Sequence, residues 1–234
     1  MKDLPAPAER RPIHTRRVTT QGFLRQDGLW DIEGELVDTK TYPSAPSASQ
    51  PRAAGEPIHH MRIRLTIDDG LVVRAAVAAM PNTPFAECQP AALPMEGLVG
   101  ASIGRGWRRA VEAAMGGTAG CTHIRELLSA MATVAFQTVG PYRQQERVAA
   151  GGAMYPGTEP SHQMGQCLGW DFDGTVVARV APQFIGWRQP RKPVSPIPPE
   201  SAASPEKPEP DTEPESNPEP APEAASGPPS SSAT

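Results

Sequence analysis

Two cysteines lie in local sequences that favour a reactive or metal-binding thiol. Cys121 ends the run Gly-Gly-Thr-Ala-Gly-Cys and precedes an apolar helical segment, and Cys88 also comes just before a predicted helix. Backbone N–H groups and the helix dipole stabilise a thiolate at such a position. The sequence therefore predicts a nucleophile or a metal ligand at each cysteine. The alternative is a buried and inert side chain, which is common for free cysteine.

Two histidines are candidates to join these thiols: one of the adjacent pair His59-His60, and His123. His59 and His60 directly precede a predicted strand, and adjacent residues of a strand point to opposite faces, so only one of them can serve a given site. His59 shares the parity of the apolar residues Met61 and Ile63 and is the better candidate. His123 can face the same ligand as Cys121 only if Cys121 is still in the loop. The alternatives are a loop-capping role for His59 and a surface position for His123.

Four acidic residues lie within the predicted strand 29–37 or directly after it. Asp31, Glu33 and Glu35 share one parity, whereas Asp38 has the other. Three acids on one face are typical of a solvated sheet face. The alternative is a site for a hard metal ion.

Three Asp-Gly pairs lie between apolar runs and predict β-hairpins. The type I′ turns of hairpins need positive φ at both central residues, and Asp-Gly is one of the pairs that adopt it most readily. The predicted pairs of strands are 18–25 with 29–37, 61–67 with 71–78, and 165–172 with 175–180. Apolar spacing predicts helices at 91–99, 107–115 and 124–139, and Gly140-Pro141 is expected to end the last one. The predicted fold class is α+β: an antiparallel sheet of about six strands with two or three helices on one face.

The composition predicts three regions. Residues 1–13 are expected to be a flexible N-terminus, 14–189 a single α+β domain, and 190–234 a disordered acidic tail. The tail contains 14 prolines, eight acidic residues and three basic ones, which leaves the rest of the chain near +1. Neither nucleic acid nor a membrane surface is an expected partner. The tail is a candidate tether for a protein partner.

Three cysteines without an export signal favour reduced thiols and a cytoplasmic location. The common enzyme motifs are absent: the chain has no P-loop, no Gly-x-Ser-x-Gly, no full Rossmann fingerprint and no His-Glu-x-x-His.

Several specific motifs resemble those of a known bacterial family. They are Asp-Gly-Leu-Trp-Asp-Ile-Glu-Gly from Asp27, Asp-Thr-Lys from Asp38, Pro-Ile-His from Pro57, Gly-Trp-Arg-Arg from Gly106 and Gly-Cys-Thr-His from Gly120. Over about residues 12–185 the chain is similar to domain of unknown function 2889. That resemblance implies no established activity.

A more distant resemblance is to IscU/NifU-type iron–sulfur scaffolds. Residues 57–139 share their order of strand, strand, cysteine, helix, helix, cysteine and helix, with Cys88 and Cys121 at two of the three scaffold cysteine positions. His59 stands where the first scaffold cysteine would be. The resemblance implies an IscU-like core and a site formed by His59, Cys88 and Cys121, with His123 as a fourth ligand or a close neighbour.

Three functions follow as hypotheses. The first is a metal-binding protein that holds zinc or an iron–sulfur cluster at His59, Cys88, Cys121 and His123. The second is an enzyme or sulfur acceptor that uses Cys121 as nucleophile with His123 beside it. The third is a non-catalytic interaction module that binds partners through its acidic tail.

Overall fold

A four-stranded antiparallel sheet forms the framework of the part of the chain that the structure describes. The computed structural model describes residues 3–45 and 51–188, so the predicted tail lies outside it. The strands are β1 (His14–Leu24), β2 (Trp30–Lys40), β3 (Pro57–Ile67) and β4 (Val73–Asn82), and they pair in chain order. The first two predicted hairpins are confirmed as strand pairs. Their turns are not the predicted type I′ pairs, because positive φ occurs only at Gly28 (82°) in the first turn and at Leu71 (60°), not Gly70, in the second.

The helices follow the sheet in the chain. They are α1 (Trp107–Met115), α2 (Thr122–Ala149) and α3 (Thr175–Val180), with 3₁₀ helices at Ala86–Leu98, Gly117–Ala119, Leu168–Trp170 and Pro182–Phe184. The helix predicted at 91–99 is part of a 3₁₀ helix because Pro90 and Pro94 lie inside it and interrupt α-helical hydrogen bonding. Within the described residues, no helix has the length and apolar character needed to cross a membrane.

The prediction of six strands is wrong, because the third hairpin does not form. Residues 168–170 are a 3₁₀ helix and 175–180 are α3. Val177 and Ala181 are both fully buried and lie four residues apart, which is the spacing of one helical turn. They pack with Met164 and Phe184 in a small second core. The alternation of apolar residues in this segment therefore reflects a short helix and its neighbouring turns.

The prediction that α2 ends at Gly140-Pro141 is also wrong. The helix continues to Ala149, although proline removes one backbone hydrogen bond. Contacts beyond the proline offset this cost: the Tyr142 ring packs edge-on against Trp30, and the Arg143 guanidinium lies 5.1 Å from the centre of the Trp30 ring. Arg143 also donates a hydrogen bond of 2.9 Å to Asp69.

Helix α2 lies across β1, β2 and β3, and the two ends of its contact with β2 are about equally far apart along the helix and along the strand. From Trp30 to Asp38 the strand rises about 27 Å. From His123 to Tyr142 the helix rises about 28 Å. One end of α2 contacts Asp38 and the other contacts Trp30. The ring and cation contacts with Trp30 come from Tyr142 and Arg143, beyond the predicted end of the helix at residue 139.

The main core lies between α2 and the face of the sheet that it covers, here called the helix-covered face. Its side chains alternate along the strands and recur every three or four residues along the helix. They include Trp30, Ile32, Leu36, Met61, Ile63, Leu65, Ile124, Leu127, Leu128, Met131, Ala135 and Val139. The other sheet face carries the ion pairs Glu33–Arg64 and Glu35–Arg62. Asp38 ends the apolar row of β2 and is therefore on the helix-covered face.

Candidate metal centre

Three cross-strand neighbours form a polar row at one end of the helix-covered face. The register of the sheet places Arg16 of β1 opposite Asp38 of β2, and Asp38 opposite His59 of β3. Directly opposite residues of an antiparallel pair project to the same face. The next row inward consists of Val18, Leu36 and Met61. The polar row thus borders the apolar core, and the first turn of α2 lies over it.

Asp38 is the centre of this row and is only 2 % exposed. Arg16 binds it with two hydrogen bonds of 2.8 Å, from Nε to Oδ1 and from Nη2 to Oδ2. His59 Nδ1 lies 3.1 Å from Oδ2, and His14 Nε2 lies 3.2 Å from Oδ1. Both oxygens of this buried carboxylate therefore have partners, which offset the cost of removing the charge from water.

His123 reaches the same carboxylate from the helix. It lies one residue inside α2, and its Nε2 is 3.7 Å from Asp38 Oδ2. Its ring stacks on that of His59 with centroids 3.8 Å apart and an interplanar angle of 29°. Both rings therefore present a nitrogen towards the same carboxylate oxygen. Imidazole binds metal ions in its neutral form.

The electrostatics of the row favour a charged carboxylate and a neutral His59. Burial acts to raise the pKa of Asp38, but the hydrogen bond and charge of Arg16 outweigh it, so this pKa is lowered. Burial and the nearby His123 lower the pKa of His59, against the opposing effect of Asp38. An ionised carboxylate and a neutral imidazole are both metal ligands in the correct protonation state.

Cys121 is the N-cap residue of α2 and is half-buried. Its Sγ lies 3.6 Å from Nδ1 of His123, which is the ring nitrogen opposite the one that faces Asp38. Burial acts to raise the pKa of the thiol, but hydrogen bonds with His123 and with the N–H of Ile124 outweigh it and lower this pKa. His123 thus lies between Cys121 and Asp38 and contacts each of them with a different ring nitrogen.

The structure brings together His59, His123 and Cys121 of the predicted site but does not place Cys88 with them. Cys88 lies in the 3₁₀ helix Ala86–Leu98 and packs against the main core. Among the described residues, the group of ligating side chains that can share one ion consists of Asp38, His59 and His123. His60 points to the other face of the sheet and lies 2.8 Å from Glu35.

The predicted set of His59, Cys88, Cys121 and His123 omits four residues of the site, although Asp38 is among the acids considered for a hard metal ion. Arg16 and His14 lie on β1, Asp38 lies on β2, and Glu126, which accepts a hydrogen bond of 2.5 Å from Arg16 Nη1, lies on α2. A signal for Asp38 was present, because it continues the parity of Ile32 and Leu36 and not that of the acids on the solvated face. Arg16 and Glu126 had no such signal, since they are 110 residues apart.

A comparison with protein-family models matches residues 14–137 to the family described as Protein of unknown function (DUF2889). This match covers more than half of the 234 residues. The chain belongs to the DUF2889 family. Asp38, His59, Cys121 and His123 of this DUF2889 protein all lie within the matched range.

No curated protein and no solved structure matches the DUF2889 chain. The comparisons therefore give no support to the predicted resemblance to IscU/NifU-type scaffolds. What the structure shows is an α+β fold with a four-stranded antiparallel sheet.

Proposed function

We propose that this DUF2889 protein binds a divalent transition-metal ion, zinc being the best match, through Asp38, His59 and His123. The observation that supports this proposal is the convergence of one donor atom from each side chain, all within 4.8 Å of one another. Two adjacent strands and the first turn of α2 supply the donors, so secondary structure fixes their positions.

Two of the three donor separations are close to those of a tetrahedral zinc site, and the third lies within 4.8 Å. Zinc bonds of about 2.0–2.1 Å to nitrogen and oxygen imply ligand-to-ligand distances of about 3.3–3.4 Å. Asp38 Oδ2 lies 3.1 Å from His59 Nδ1 and 3.7 Å from His123 Nε2. The three donors then occupy three corners, and the fourth is open for water or a substrate, as in catalytic zinc sites.

Cys121 fits this site as a partner of a ligand. Metal-bound histidines usually donate the other ring N–H to a neighbouring acceptor, which fixes the ring. When His123 Nε2 faces the ion, Nδ1 is the nitrogen that lies beside Cys121 Sγ.

Two imidazoles and one carboxylate favour zinc or non-haem Fe(II), whereas an iron–sulfur cluster is held mainly by thiolates.

The test is metal analysis of protein purified without a metal-affinity tag and loaded with zinc, followed by gel filtration. Wild-type protein is expected to retain about one zinc ion per chain. His59→Ala, His123→Ala and Asp38→Asn are each expected to lose most of it. His60→Ala is the matched control, because it removes the adjacent histidine from the opposite face and is expected to keep the ion.

Substitution of the cysteines distinguishes the proposed ligand set from the four ligands predicted from the sequence. Cys88→Ala is expected to keep zinc, and Cys121→Ala is expected to weaken its binding about tenfold, as for a partner of a ligand. Loss of zinc in Cys88→Ala with full retention in Asp38→Asn would contradict the Asp38 site.

A second candidate function is cysteine-dependent catalysis, favoured by the contacts from Cys121 to His123 and from His123 to Asp38. Nucleophile, base and orienting acid are arranged in this order in thiol enzymes. Fast alkylation of Cys121 at neutral pH, slowed in His123→Ala, is the expected result. Equal alkylation rates for Cys121 and the exposed Cys167 would count against this function.

A further inference from the structure

Arg16 and a metal ion need the same carboxylate. Both guanidinium hydrogen bonds end on Asp38, one on Oδ1 and one on Oδ2. The second of these oxygens is also the atom nearest to His59 and His123. An ion on Oδ2 would carry two positive charges to within a few ångströms of the guanidinium, and the charges would repel each other.

Glu126 offers Arg16 a second position. Arg16 Nη1 already donates to Glu126 Oε2 at 2.5 Å, and the side chain of Glu126 is 55 % exposed. A guanidinium has five N–H donors, so Nε and Nη2 can leave Asp38 while Nη1 keeps its bond to Glu126. Arg16 is 33 % exposed and lies on an edge strand, where its side chain has room to move.

We propose that Arg16 competes with the metal ion for Asp38 and that Glu126 holds Arg16 when the ion is bound. This inference rests on the proposed function and concerns how that site is regulated. Arg16 holds the Asp38 carboxylate in position until an ion arrives, and it sets a threshold for the affinity of the site. Only an ion that binds the two histidines as well as Asp38 can displace it.

The alternative role for Arg16 predicts the opposite sign. A hydrogen-bond donor that merely orients a ligating carboxylate supports the metal, and loss of such a partner typically weakens binding 10–100-fold. A competitor weakens binding while it is present. The sign of the change in zinc affinity on removal of Arg16 therefore separates the two roles.

The experiment measures the zinc Kd of chelator-stripped full-length protein by competition with a chromophoric zinc chelator. Arg16→Gln is expected to bind zinc about five- to tenfold more tightly than wild type. Glu126→Gln is expected to bind it about two- to fivefold more weakly, because the displaced guanidinium loses its negatively charged partner and keeps only a neutral acceptor. In the Arg16→Gln background, Glu126→Gln is expected to change nothing.

The matched control is Arg64→Gln, which breaks a similar ion pair on the opposite face of the sheet and is expected to leave the Kd unchanged. Glu126→Gln alters an exposed side chain, so its result stands even if Arg16→Gln folds poorly. Wild-type protein that binds no zinc would overturn the proposed function together with this inference. Wild-type protein that binds zinc, with unchanged or weaker binding in Arg16→Gln, would overturn this inference alone.

Discussion

Asp38 links the strands and the helix that form the candidate site. It contacts β1 through Arg16 and His14, β3 through His59, and α2 through His123. A buried carboxylate in such a position contributes to stability only while its partners are present, because each loss leaves uncompensated charge. Its replacement therefore affects the fold as well as the chemistry.

Asp38→Asn is expected to lower the free energy of unfolding by about 2–4 kcal/mol in the presence of a chelator. The amide removes the charge that Arg16 and the histidines surround. Urea denaturation measures the change. Glu33→Gln breaks the ion pair with Arg64 on the exposed face and is expected to cost less than about 1 kcal/mol. Equal costs for the two variants would contradict the central role of Asp38.

His59 makes stability dependent on pH below neutrality. Its pKa is lowered in the folded state, so the unfolded chain takes up the proton first as the pH falls. Stability is therefore expected to decrease as the pH falls below about 6.5, the ordinary histidine value, towards the folded-state pKa. Urea denaturation between pH 7.5 and pH 5.5 measures this decrease. His59→Asn is expected to flatten it, and an unchanged slope would contradict this origin.

At the scale of elements, the sequence predicts the features that depend on local residue patterns. It does not predict the features that depend on contacts between residues far apart in the chain. The parity of His59 and the bounds of α1 follow from alternation and helical spacing. The extension of α2 beyond Pro141 depends on Trp30, which is more than 100 residues away in the chain. The same holds for the site, since Asp38 has partners on three other elements.

Close packing of α2 on β1 depends on Gly22. A Cβ atom there would lie 2.7 Å from Cβ of Thr138 and closer still to its Oγ1 and Cγ2. Gly22→Ala is expected to lower the free energy of unfolding by about 1–3 kcal/mol, because the helix must move away. Adding Thr138→Ala removes the two closest atoms and is expected to restore part of the loss in thermal denaturation. Additive losses would contradict direct contact.

At the scale of the whole molecule, the described residues contain two separate cores. The larger one joins the sheet to α1 and α2, and the smaller one consists of Met164, Val177, Ala181 and Phe184. The family match ends at residue 137, before the smaller core begins. Within the described residues, the contacts of Asp38 with His59 and His123 at the candidate site join elements of the larger core.

Phe184→Ala is expected to loosen residues 150–188 and to leave the rest of the fold intact. Removal of a ring that is 2 % exposed empties much of the smaller core, and such changes cost about 3–5 kcal/mol locally. Hydrogen exchange with mass spectrometry is expected to show faster exchange in 150–188 and unchanged exchange in β2, β3 and α2. Faster exchange throughout would show that both cores unfold as one unit.

The contacts at the two ends of α2 have a consequence for the order of folding. The sheet pairs strands that are neighbours in the chain, and their connections, 25–29, 41–56 and 68–72, are 5, 16 and 5 residues long. The contacts at the two ends of α2 join residues 110 and 74 positions apart, Arg16 with Glu126 and Asp69 with Arg143. These long loops carry the larger closure entropy and close late. Asp38 of β2 and His59 of β3 are therefore expected to meet early, and His123 is expected to join them only in the final docking of the helix.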